Sequence, residues 1–198
     1  MWVFGNGESR RDVNITQLKG FTVGCNAIMR DYQTDYLVCV DRRMVNEALE
    51  RKINEHTLIY TRKDWYGDYR HIKNIREVPD IPYEPSIRAD EPFQWGSGPY
   101  AVLLAARLSK EHWVSLVGFD LFSNTKFVNN VYKDTKGYDT ADKSAVDPRY
   151  WIHQIGKVFE HFPKTQFTRY RPLGWETPKA WIRPNVDVDK ISNIYYNT

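Results

Sequence analysis

Short, continuous apolar runs recur along the chain, and each stops at a small or acidic polar residue. Trp2-Val3-Phe4 runs into Gly5-Asn6-Gly7, Phe21 to Cys25 stops at Asn26, Tyr36 to Val40 stops at Asp41, and Trp113 to Gly118 leads into Phe119-Asp120. Runs without polar alternation belong to strands buried on both faces, the hallmark of a central parallel sheet. Leu58-Ile59-Tyr60 and Gln166 to Tyr170 add two more strands. Between these runs the apolar spacing becomes helical. Met44, Val45, Ala48, Leu49 and Ile53 predict a helix over 42–54, and Tyr100, Leu103, Leu104 and Leu108 predict one over 97–109. A third helix, 148–161, is opened by Asp147-Pro148, a cap followed by proline at the first helical position. Residues 8–19 carry a short helix or turn with Ile15 and Leu18 as its apolar contacts.

Three stretches lack periodicity. Residues 61–95, rich in charge, Tyr, Trp and Pro, read as loops over the ends of the sheet, with at most one short strand near Ile72 to Ile75. Residues 123–146 are polar and read as a mobile loop or lid. The tail after Pro172 reads as a wrapping or partly disordered arm. The expectation is a single-domain α/β, Rossmann-like fold: a mostly parallel sheet, helices on both faces, and a lid loop. The catalytic domain spans 1–172 and the C-terminal arm 173–198.

Composition narrows the function. With 198 residues the chain is long enough for one full core and short for two domains. Aromatics reach 15%, which suits a thick core, a stacking surface for bases or sugars, or both. A net charge of +3 permits an anionic ligand without arguing for a nucleic-acid footprint. The basic cluster of Arg62, Lys63, Arg70, Lys73 and Arg76 is interleaved with Asp64, Asp68 and Glu77, as on a solvated face, so nucleic acid is not an expected partner. Cys25 and Cys39 sit inside apolar runs and read as buried thiols, with no disulfide framework or cysteine-rich metal site. No run approaches the ~18–20 apolar residues of a membrane span, and no signal peptide opens the chain. A cytoplasmic protein is the expectation.

In open α/β sheets, ligands bind outside the carboxyl ends of the strands. Those ends are Gly5-Asn6-Gly7, Asn26, Asp41 and Asp120, and the start of a helix at Gly96-Ser97-Gly98 points to the same edge. Glycine-containing turns that open helices make anion cradles, and Ser9 adds a donor to the first. The set suits a nucleotide with its phosphates on the glycine turns, although Arg10 interrupts the full Gly-x-Gly-x-x-Gly pattern. Among the five histidines, His56 and His112 start strands, His71 is in the irregular segment and His161 closes a helix. His153 lies early in the helix after the polar loop, which makes it the candidate general base.

Gly5-Asn6-Gly7-Glu8-Ser9 resembles the turn that opens the bacterial sialyltransferases of glycosyltransferase family 42, and a similar turn opens proteins related to 6-hydroxymethylpterin pyrophosphokinase. Gly24-Cys25-Asn26, Ser97-Gly98-Pro99-Tyr100 and Val114 to Asp120 are similar to further motifs of the family, in the same order, and the matched stretches cover about a third of the chain. The resemblance implies a Rossmann-like transferase fold. It implies that Asn6, Gly7, Ser9, Asn26, Ser97 and Gly98 hold a cytidine-monophosphate sugar, that Tyr132 in the lid helps the phosphate leave, and that His153, in a Tyr-x-Ile-His context, is the base. The chain departs from the family at Phe122, where a tyrosine hydroxyl would stabilise the leaving group. It also departs at Phe93-Gln94-Trp95-Gly96, where an arginine is expected, and at Asp41 in place of Asn. Members often form tetramers, so a homo-oligomer stays open.

The leading expectation is a glycosyltransferase that moves a sugar from a nucleotide sugar to a hydroxyl-bearing acceptor, with no cofactor. One alternative is a Mg²⁺-dependent pyrophosphokinase or nucleotide hydrolase with Asp41 and Asp120 on the metal. The other is a nucleotide-binding protein without turnover.

Overall fold

The computed structural model describes residues 1–53, 55–121, 125–172 and 174–196. Eight strands form one all-parallel sheet: β1 (Trp2–Phe4), β2 (Thr22–Cys25), β3 (Tyr36–Val38), β4 (Leu58–Thr61), β5 (Ile75–Glu77), β6 (Trp113–Val117), β7 (Gln166–Arg171) and β8 (Val186–Lys190). Their order is β5-β4-β3-β2-β1-β6-β7-β8. The chain winds outward from β1 to β5, returns to the other side of β1 at β6, and winds outward again. The switch point of this Rossmann-like α/β fold therefore lies between β1 and β6.

Side chains along the central strands divide between two cores. Trp2 and Phe4 face one core while Val3 faces the other, and Leu37 and Cys39 are likewise separated from Val38 and Val40. One face is covered by α3 (Ser97–Leu108) and α4 (Arg149–His161), the other by α1 (Arg42–Glu50), α2 (Lys63–Tyr69) and turns of 3₁₀ helix. Central parallel strands covered on both sides have no solvent face, which explains their unbroken apolar sequence. From Ser97 to Ala106 only Gly98 escapes full burial in α3, and the helix packs across β1, β2, β3 and β6. Cys25 and Cys39 are free thiols in these cores, and burial pushes the Cys25 thiol up to about 12.

Two irregular stretches hold regular structure. Residues 61–95 contain α2, which presents Tyr69 to the core, and β5 lies at Ile75–Glu77 rather than at 72–75. The helix is one short turn-rich segment with a glycine inside it, too brief to leave a periodic pattern. The segment expected as a C-terminal arm supplies β8, which pairs with β7 as an edge strand, and buries Trp181 against Phe159. Val186-Asp187-Val188-Asp189-Lys190 is largely exposed, as befits an edge, so it lacks the apolar run of the central strands.

Candidate functional site

A cavity of about 490 Å³ opens over the carboxyl edge of the sheet at the switch point. It touches Gly5, Asn6 and Gly7 from the turn after β1, Asn26 after β2, Asp41 after β3, and Ser97 and Gly98 at the start of α3. Seven expected site residues thus meet in one cleft. Phe93 and Trp95 from one side, Tyr138 and Val146 from the lid, and Trp151 from α4 complete the walls.

The glycine turn is shaped by its neighbour across the switch point. A Cβ on Gly7 would sit 2.5 Å from Asp120 Cγ and 2.7 Å from the Gly118 carbonyl oxygen, and one on Gly5 would overlap that same oxygen. The turn's donors are engaged inside the protein. Gly5 N–H donates to Val117 O and Gly7 N–H to Gly118 O, both at 2.8 Å. Glu8 N–H donates to Asn129 Oδ1 at 2.8 Å and Ser9 N–H to Asp120 Oδ2 at 2.9 Å, while Ser9 Oγ also donates to Asp120. Asp120 is buried below the cleft and fastens the turn. Burial raises its pKa, and the hydrogen bonds from Ser9 and the charge of Arg169 only partly offset this.

Arg10, the residue that breaks the glycine pattern, is itself buried. Its Nε donates to Gly5 O at 2.9 Å and its Nη2 to Tyr132 Oη at 3.0 Å. Tyr132 Oη in turn donates to Asp31 Oδ2 at 2.6 Å. Tyr132 is 4% exposed and does not line the cleft; burial and the Asp31 carboxylate raise its pKa, against the opposing charge of Arg10. It ties the lid to the body of the protein. Val131 N–H donating to Asn6 O at 2.9 Å and Arg30 donating to Thr135 Oγ1 and Lys136 O hold the same loop.

The inner part of the cleft is a small polar junction. Ser97 Oγ donates to Asn26 Oδ1 at 2.7 Å and accepts from Val40 N–H at 3.1 Å. Asn26 has φ of 47°, a left-handed conformation that asparagine tolerates better than most residues. Its Oδ1 is taken by Ser97, so the amide nitrogen is the part of the side chain that can serve a ligand. The first-turn N–H groups of Ser97 and Gly98 have no acceptor within α3, and the helix dipole adds partial positive charge there.

No family model, no curated protein and no solved structure matches this chain.

His153 stands apart from the cleft. Trp151 and Ile155 of α4 line the cavity, whereas His153, two residues past Trp151 on the helix, turns away. Its Nε2 lies 2.7 Å from Oδ1 of Asp90, a carboxylate with no solvent exposure. Asp90 also accepts from Ser86 N–H and Oγ, Ile87 N–H and Tyr83 Oη. Burial alone would raise the Asp90 pKa; the Ser86 and Ile87 amides and His153 overcome it and hold the carboxyl well below its usual range. Asp90 organises the 83–95 segment, and the sequence signal for it was weak, since an acid among prolines and charges reads as surface. Phe122 lies outside the described residues.

β3 and β6 stand three ladder spacings apart, about 14 Å, so Asp41 and Asp120 at their ends do not fit one Mg²⁺. Among the described residues no three His, Cys, Asp or Glu side chains cluster as metal ligands. Also among them, no helix is long and apolar enough to cross a membrane.

Proposed function

We propose that the protein is a glycosyltransferase-like enzyme that holds a nucleotide sugar in the switch-point cleft. The observation that carries this reading is the convergence of Asn26, Ser97 and the first turn of α3 at the carboxyl edge, where a helix N-terminus favours a phosphate. The phosphate rests on the Ser97 and Gly98 amides. The carboxamides of Asn6, Asn26 and Asn130 meet hydroxyls, and Trp151 and Tyr138 offer ring faces to the base or sugar. Transfer itself rests on the resemblance to family 42. Asp41 and Asp139 line the cleft and are the carboxylates available to take a proton from an acceptor hydroxyl.

A second reading, nucleotide binding without turnover, draws support from one observation. Tyr132 and His153 are both engaged within the protein and outside the cleft lining.

Thermal shifts with a panel of nucleotides and nucleotide sugars, with and without Mg²⁺, test the site. A ligand present at a hundred times its dissociation constant stabilises the folded state by about 2.7 kcal/mol. A pyrimidine nucleotide or its sugar is expected to stabilise without metal. Asn26→Gly keeps the left-handed backbone and removes the carboxamide. It is expected to weaken that binding about tenfold, the loss of one or two hydrogen bonds. Stabilisation only by a metal–triphosphate mixture would move the protein to the pyrophosphokinase-like reading, and no stabilisation at all would sink the site. Release of free nucleotide in the presence of a hydroxyl acceptor separates transfer from binding alone.

A further inference from the structure

A second cavity of about 230 Å³ adjoins the cleft, and the two share Arg62 and Phe93 as a common wall. Its floor is apolar: Val78 and Tyr100 are buried there, with Ile81 and Pro92 beside them. The charged side chains of its lining pair among themselves. Arg62 forms a two-pronged ion pair with Asp64 at 2.9 and 2.5 Å, and Lys63 meets Asp80 at 2.5 Å. The lining therefore presents no unbalanced charge, and its occupant need not be an ion. The wall is itself aromatic: the Arg62 guanidinium lies between the Trp65 and Phe93 rings, 4.8 and 5.3 Å from their centroids. Phe93 is 63% exposed, which leaves much of its surface open to a second ring. An apolar cavity of about 150 Å³ is large enough for benzene, and this one is larger.

We propose that this second cavity is a subsite for an uncharged aromatic group carried by the acceptor. The proposal rests on the transferase reading of the neighbouring cleft. A ring seated against Val78, Ile81 and Tyr100 directs its substituents toward the Arg62–Phe93 wall, beyond which the nucleotide-sugar cleft begins. The donor and the hydroxyl to be glycosylated thereby meet across one pair of side chains. The class of acceptor that follows is a phenolic or benzylic alcohol rather than a sugar chain, whose hydroxyls would meet the apolar surface of Val78, Ile81 and Pro92 and charged groups already engaged in ion pairs.

The test uses the full chain and 4-methylphenol, with methyl NMR of the valine and isoleucine side chains as the readout. Saturable shifts confined to the methyls of Val78 and Ile81 are expected, and Phe93→Ala is expected to weaken binding about tenfold. Because Phe93 is mostly exposed, the variant keeps the core intact. No shift at Val78 and Ile81 up to the solubility limit would overturn the subsite, as would shifts spread through the core or affinity unchanged in Phe93→Ala. Cytidine monophosphate is titrated separately. If it binds the cleft while 4-methylphenol leaves Val78 and Ile81 unmoved, the subsite fails alone. If 4-methylphenol binds and no nucleotide or nucleotide sugar does, the subsite stands as an aromatic-binding cavity and the transferase reading fails.

Discussion

Single side chains carry much of the burden of holding the cleft in shape. Asp90 is the clearest case. It is fully buried and gathers donors from four residues, so Asp90→Asn replaces an acceptor with a group that brings two donors of its own. A loss of about 3 kcal/mol is expected, as for breaking a buried pair, measured by urea denaturation. The pH dependence has a defined sign. The folded carboxyl is held below its unfolded value, so its contribution is complete above about pH 4 and disappears as the pH falls from there. The wild-type urea midpoint should therefore fall more steeply than that of Asp90→Asn as the pH drops from about 4 to about 2; parallel curves would refute the assignment. Tyr132 gives a second test at this scale. Tyr132→Phe removes the hydroxyl between Arg10 and Asp31 and should cost about 1–3 kcal/mol of stability. Because Tyr132 does not line the cleft, nucleotide affinity should stay within twofold (roughly 0.4 kcal/mol) of wild type. A larger fall in affinity with unchanged stability would restore it to the binding machinery.

At the scale of elements, the lid is the part whose behaviour sequence and structure describe differently. Its polar composition predicts mobility, yet its described residues are latched to the glycine turn through Val131 and Asn129, and to the body through Tyr132 and Arg30. Arg30 also holds Glu47 of α1 with two hydrogen bonds, at 2.6 and 2.7 Å. The Arg30 hydrogen bond draws the Glu47 carboxyl down to about 2, against the opposing effect of burial. One guanidinium thus joins α1 to the lid. Arg30→Ala should speed amide exchange at Val131, Thr135 and Tyr138 by about tenfold or more while leaving β1 and β6 protected. Uniform acceleration across the molecule would mean that Arg30 supports global stability rather than the lid.

For the whole molecule, the question is where the folding unit ends. Residues 174–196 contribute β8 and Trp181, whose indole donates to Ile152 O at 2.9 Å and packs edge-on against Phe159 at 5.5 Å. Trp181→Ala should cost about 3–5 kcal/mol. A chain stopped after residue 172 would expose β7 and the outer side of α4, and it should lose its cooperative unfolding transition in a thermal melt. A truncated chain that melts as cooperatively as the intact one would show that the C-terminal segment is an accessory arm after all.

The sequence by itself determined the α/β class, the central strands, three of the helices and the places where those strands end. These follow from period and burial: a strand covered on both faces must be apolar throughout, and a helix on a sheet must repeat its apolar face every three to four residues. That Gly5, Asn6, Gly7, Asn26, Asp41, Ser97 and Gly98 meet at one cleft was legible for the same reason, because position at a carboxyl edge is a topological property. Tertiary structure alone decided which of those residues present a group to the cleft. The donors of the glycine turn are engaged by Asp120, Asn129 and the carbonyls of Val117 and Gly118, partners more than a hundred residues away. Helix α2 and strand β8 are too short or too exposed for periodicity to reveal; α2 forms against a face of the sheet that buries Tyr69, and β8 forms on the edge that β7 offers. The direction of His153 on α4, and its pairing with an aspartate 63 residues earlier, depend on how that helix is rotated against the sheet. That rotation is fixed by packing against α3 and Trp181, and no local pattern encodes it.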